Sequence, residues 1–209
     1  MNGTDAVTYD MGLTADQFTN ISDNFTNVTF VVEKDGQLVI NPRSVTLTSG
    51  SAERVYNGEA LTKDEVTAST GENEGFVKDE GAEYNVTGSQ TEVGESKNTF
   101  SYTLKDGTKA TNYNIELALG TLKVTPVKDK VTVTITENSG SEKYDGTEKT
   151  VTGYTVSISN PLYKEGDFTF SGNAEVKGTD AGKYNMELKA SDFTNNNTNF
   201  AEVKFVIVD

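Results

Sequence analysis

Residues 3–34, GTDAVTYDMGLTADQFTNISDNFTNVTFVVEK, align without a gap to residues 178–209 at an offset of 175, with 16 of the 32 positions identical. The matched pairs include Tyr9/Tyr184, Met11/Met186, Leu13/Leu188, Phe18/Phe193, Phe25/Phe200 and Phe30/Phe205. Repetition at this level constrains the fold more than composition does, because each copy must be one structural unit set beside its neighbours. A second register, offset by 84, sets Gly88, Gly94, Phe100, Tyr102 and Leu104 on Gly172, Gly178, Tyr184, Met186 and Leu188, and Pro42 on Pro126. VYNG (55–58) and KYDG (143–146) correspond at an offset of 88. The spacings predict two unlike modules of about 85–90 residues in alternation. Their boundaries are residues 41–126 and 127–209, preceded by 1–40 as the C-terminal part of another copy. Proline at the junctions limits backbone freedom there, so an elongated rod is expected.

Within each period the pattern is that of strands. Val131-Thr-Val-Thr-Ile-Thr136, Phe100-Ser-Tyr-Thr-Leu104 and Tyr184-Asn-Met-Glu-Leu188 alternate apolar and polar residues, the period of a half-buried strand. Turn chemistry separates them: KDG at 34–36 and 105–107, YNG, YDG, and Gly120. Helical signals amount to single turns at TADQF (14–18), KASDF (189–193) and LTKDEV (61–66). The expected class is all-β, with an immunoglobulin-like sandwich favoured over a β-grasp sheet holding a short helix. Asp180-Ala-Gly-Lys-Tyr184 carries the sandwich argument, since it resembles the corner in which a tyrosine ring enters the core and its hydroxyl bonds back to the turn. Glu95–Phe100 departs from that pattern, because phenylalanine has no hydroxyl.

Composition excludes several functions. With 18 basic and 32 acidic side chains the net charge is −14, which repels nucleic acid and anionic membranes. There is no Cys and no His, so Ser-His-Asp and Cys-His catalysis and the usual zinc sites are unavailable. Neither a dinucleotide fingerprint nor a phosphate loop occurs, and Asp79/Glu80 and Glu72/Glu74 read as solvated turns rather than paired catalytic acids. No apolar run reaches the ~18–20 residues of a membrane span. MNGTDAVTYD has neither the basic nor the apolar region of a signal peptide, so an exported parent would make this chain an excerpt.

VYNGEALT, KYDGTEKT and the terminal hairpin NYNIELALGTLKVTP (112–126) together resemble the MBG and YDG-type repeats of bacterial surface adhesins. The likeness covers about residues 41–209. It implies tandem extracellular modules of secreted or wall-anchored proteins and brings no catalytic residues. Residues 199–208 are a looser version of the hairpin, so the second module is expected to lack its last strand and to leave an unpaired edge.

The residues singled out are therefore structural: Tyr56, Gly58, Tyr144 and Gly146 in the turns, and Asp180, Gly182 and Tyr184 at the corner. No catalytic, cofactor or metal site is expected. The oxygen-rich loops 22–27 and 191–199 read as turns before calcium sites, and Tyr154 and Tyr163 as packing residues before sugar platforms. Lys130 or Lys143 with Asn199 is the candidate pair for an isopeptide cross-link. The expected role is a stalk, spacer and adhesion repeat at the bacterial cell surface or cell wall, and not an enzyme. The alternatives are a module binding host or dietary glycan or mucin, and an accessory module of an extracellular enzyme. Head-to-tail self-association through residues 1–40 is a further expectation.

Overall fold

The computed structural model describes residues 2–208. Its strands are short and fall into several small sheets, and among the described residues the helical segments are single 3-10 turns. The chain is all-β and compatible with a β-sandwich. Two of the 3-10 turns, Ala15–Gln17 and Ala190–Asp192, occupy the predicted TADQF and KASDF segments. LTKDEV does not form one. Leu61 exchanges backbone hydrogen bonds with Gln90 (2.8 and 3.0 Å), and Val66 opens a strand opposite Ser49. The β-branched Val66 packs against the core of its unit, and that burial outweighs a marginal one-turn preference.

The contacts divide the chain into two compact units that interleave in sequence. The first comprises Met1–Ser51, Lys63–Gly88 and Lys97–Gly120. Its principal sheet has Arg43–Ser49 in the middle, antiparallel to Val66–Ala68 and parallel to Tyr113–Ala118. Alternation in RSVTLTS sends Val45, Leu47 and Ser49 inward. The two apolar members meet Phe100 and Tyr113, with Phe76, Tyr84 and Ile115 packed around them. A second ladder joins Ala82–Val86 to Phe100–Leu104, and Phe100 lies edge-on to Tyr84 at 6.2 Å. Phe100 thus fills the core without the hydroxyl its repeat partner has.

A buried amide holds this unit's loops together. Asn98 donates from Nδ2 to the carbonyls of Gly50 (2.9 Å) and Lys63 (2.8 Å), and its backbone N–H donates to Gly120 O (2.9 Å). Its own carbonyl accepts from the Ser49 hydroxyl at 2.6 Å, and the Gly120 N–H donates to that hydroxyl at 2.9 Å. Asn98 is fully buried, so removing the amide strands two carbonyls away from water.

The second unit comprises Ala52–Thr62, Ser89–Ser96 and Thr121–Asp209. Val131–Glu137 is its central strand, antiparallel to Tyr154–Ile158 and parallel to Val203–Val208. Val131, Val133 and Ile135 are wholly buried against Tyr163, Phe168, Phe193 and Phe200. Smaller ladders pair Lys149–Thr152 with Glu175–Gly178 and Phe168–Phe170 with Phe193–Asn195. A three-stranded sheet places Thr121–Thr125 between Ala52–Val55 and Gly94–Lys97 and buries Leu122 and Val124.

Tyr184–Leu188, predicted as a strand, forms no ladder among the described residues. Met186 and Leu188 are buried as the alternation requires, but Glu187 has φ +60°. That left-handed residue ends the extended conformation, and the Glu137 carboxylate accepts the Leu188 N–H at 2.6 Å in place of a neighbouring strand.

The repeated segments differ in burial. Met186 is 9% exposed and Phe200 4%, whereas Met11 and Phe25, their equivalents, are 52% and 66% exposed. Met186→Ala should therefore cost about 2–4 kcal/mol, within the range for buried Met truncations. Met11→Ala should cost under ~0.5 kcal/mol. Urea unfolding followed by circular dichroism checks the pair. By the same measurement Asn98→Ala should destabilise the first unit by ~2–4 kcal/mol through its two orphaned carbonyls, and Asn98→Asp should be no better tolerated.

Candidate functional site

The two turns singled out in sequence share one construction. In KYDG the Asp145 carboxylate accepts the Thr147 N–H (3.0 Å) and hydroxyl (2.6 Å), and its other oxygen pairs with Lys149 Nζ at 2.7 Å. The hydrogen bond from Lys149, followed by those from Thr147, holds this carboxyl well below the usual carboxylate range. In VYNG the Asn57 carbonyl oxygen accepts the Glu59 N–H at 3.1 Å. Gly146 and Gly58 follow with φ of +79° and +82°, a conformation that costs glycine nothing. Asp or Asn with Gly therefore sets the turn, and the tyrosine is left to its surroundings. Tyr56 lies edge-on to Phe200, with ring centroids 5.8 Å apart, and burial raises its hydroxyl pKa. Tyr144 is 68% exposed.

At the corner the Tyr184 hydroxyl donates to the Asp180 carbonyl at 3.2 Å, and Tyr9 does the same to Asp5 at 3.3 Å. The ring does not enter the core, as the immunoglobulin-like analogy led us to expect. Tyr184 is 46% exposed and lies flat over Gly178, where a Cβ would stand 2.3 Å from a ring carbon. Gly3 stands in the same relation to Tyr9, at 2.1 Å. The conserved spacing of glycine and tyrosine in the two copies thus reflects a ring seated on bare backbone. At Gly182 a Cβ would make only ordinary contact with Tyr184, at 3.8 Å, so the fold does not demand glycine there.

Turn and corner meet within the second unit. Lys149 opposes Gly178 in the ladder of Lys149–Thr152 with Glu175–Gly178, and this register brings KYDG beside DAGKY. Between them runs an open groove of about 640 Å³, bounded by residues 137–144 on one side and 176–186 on the other. Tyr144, Gly146's neighbour in the turn by sequence, and Asp180, Gly182 and Tyr184 are all close by, and the first and last of these tyrosines present aromatic faces. Lys143, Lys149, Lys177 and Lys183 line the groove with Glu137, Glu142 and Asp180, a local balance far from the chain's net −14. The lysines are unremarked in sequence because they lie up to 40 residues apart, 143 to 183, and only the strand register gathers them. Tyr56 and Gly58 belong to the other turn and do not line this groove.

The remaining sequence candidates fall to packing and turns. Tyr163 is buried, its hydroxyl donating to Asn195 Oδ1 at 2.8 Å, and desolvation pushes its pKa up to about 12. Tyr154 packs edge-on against Phe170 and Phe193. In loop 191–199 the Asn195 and Asn197 side-chain oxygens accept the N–H groups of Asn197 and Asn199. Among the described residues no group of three or more His, Cys, Asp or Glu side chains is placed to hold a metal ion. Lys130 pairs with Glu202 at 2.7 Å, while the Asn199 side chain engages Glu92 and accepts the Val93 N–H. The proposed cross-link partners are thus engaged apart from one another.

A depressed carboxyl contributes stability above its ordinary pKa, near ~4, and loses it as pH falls. Asp145→Ala should lower the melting temperature at pH 7, with the gap to wild type narrowing through the acid limb. Thermal scans between pH 7 and pH 2 read this directly.

No curated protein and no solved structure matches the chain. No described helix is long and apolar enough to cross a membrane. The family model of the MBG domain matches residues 130–207, which is the central strand, the KYDG turn, the groove and the parallel closing strand. MBG domains are typical of extracellular proteins, and by this match residues 130–207 are an MBG-type domain.

Proposed function

We propose that the chain supplies stalk and adhesion repeats of a bacterial cell-surface or cell-wall protein, spacing or multiply presenting a binding surface. The observation that carries this reading is the recurrence of one corner in two copies. The Gly3–Tyr9 and Gly178–Tyr184 devices repeat ring seat and hydroxyl bond alike at an offset of 175, and the second lies within the MBG-type domain. Selection for repeated scaffold geometry accounts for that recurrence. Many copies convert weak contacts into avidity without a single deep site.

The exposed Tyr144 and the lysine-lined groove favour one second reading, a module that binds host or dietary glycan or mucin. An exposed aromatic face beside charged and hydroxyl groups suits a sugar ring. Immobilised mucin and a glycan array decide between the two. Absence of binding at repeat densities that mimic an array supports the spacer, whereas binding abolished by Tyr144→Ala supports the glycan module.

A further inference from the structure

The geometry points to the groove of the MBG-type domain as a strand acceptor: it takes an extended segment of Asp-Gly-x-Leu-x-Ile pattern, antiparallel to Lys183–Asn185. This stands whether the modules space or bind glycan.

Three observations carry it. The first is the fate of the same segment in the other copy. Thr8–Asp10 pairs antiparallel with Gln37–Val39, with Tyr9 opposite Leu38. Met11 N–H donates to Gly36 O at 2.7 Å, and Ile40 N–H donates to Val7 O at 3.2 Å. At the offset of 175, Thr8–Asp10 becomes Lys183–Asn185, which forms no ladder among the described residues.

The second is that the edge keeps the shape it has when paired. Tyr184 and Tyr9 make the same hydroxyl bond over the same glycine. Gly12 and Glu187, equivalent residues, both lie at positive φ, +73° and +60°. Little ordering of this edge is left to be done on binding, which lowers the cost of docking a strand.

The third is the slot beside the edge. In the sheet of Ala52–Val55, Thr121–Thr125 and Gly94–Lys97, the middle strand buries Leu122 and Val124 between two outer strands. Offsets of 88 and 84 carry those outer strands onto residues 140–143 and 178–181. These segments are the two walls of the groove, with Val151, Val176 and Met186 offering apolar lining. A strand laid between them finds unpaired main chain and a place for its alternate apolar side chains, the two components of strand addition. The four lysines suit an acidic residue at its start, as Asp35 is in DGQLVI.

The test grafts the strand in register. Appending a copy of residues 35–42, DGQLVINP, directly after Asp209 restores the offset of 175. Hydrogen exchange of the full chain with and without the graft should show Met186 and the grafted Ile amide slowed at least ~10-fold, as for pairing into a stable sheet. A graft with its Leu and second Ile replaced by Asp should give no such slowing. Unchanged exchange at residues 183–186 in the grafted chain overturns the proposal. So does slowing in the ungrafted chain that grows with protein concentration, which assigns the groove to a second copy through its residues 37–40.

Discussion

Each unit depends on one pairing: a central alternating strand that runs parallel to a strand far along the chain. Arg43–Ser49 lies parallel to Tyr113–Ala118, and Val131–Glu137 lies parallel to Val203–Val208. Parallel neighbours cannot be joined by a tight turn, so everything between them must serve as a crossover. Here the crossover is built of short ladders instead of a helix, and it closes over the inner face of the central strand. Val131, Val133 and Ile135 are completely buried for that reason. Their removal from water stabilises the unit by roughly 1.5–3 kcal/mol each.

The same pairing explains why one sequence behaves differently in its two copies. Residues 203–208 have the central strand to lie against, and the aromatic residues before them are drawn into a core with Tyr163 and Phe168. Residues 28–33, their equivalents, have no such ladder, and Phe18 finds only Phe30, at 5.7 Å, to stack on. Local devices survive regardless, since a tyrosine seated on a glycine and an Asx-type turn depend on neighbours a few residues away. Core burial does not survive, because it is conferred by a strand some seventy residues distant in sequence.

The groove follows from this division between local and distant. Turn and corner are each self-contained, and the ladder of residues 149–152 with 175–178 sets them face to face. What lies between them is a gap with preformed main-chain edges, exposed tyrosines and gathered lysines, a surface that suits a strand or a sugar better than a reacting centre. Carboxylates near it are engaged in structure: Asp145 in its turn with Lys149, and Glu137 in holding Leu188.

From sequence alone came the all-β class, the repeat registers, the turns at Gly58 and Gly146, and the hydroxyl bond at Tyr184. All of these rest on interactions within a few residues or on a period of two, which a linear reading captures. The tertiary structure alone decided that Tyr184 covers Gly178 outside the core, that Tyr184–Leu188 forms no ladder, and that Asn98 is a buried hub. It also decided which lysines share a groove and which copy of the repeat is buried. Each of these turns on what a distant strand places alongside, and the register of that strand is a property of the assembled sheet.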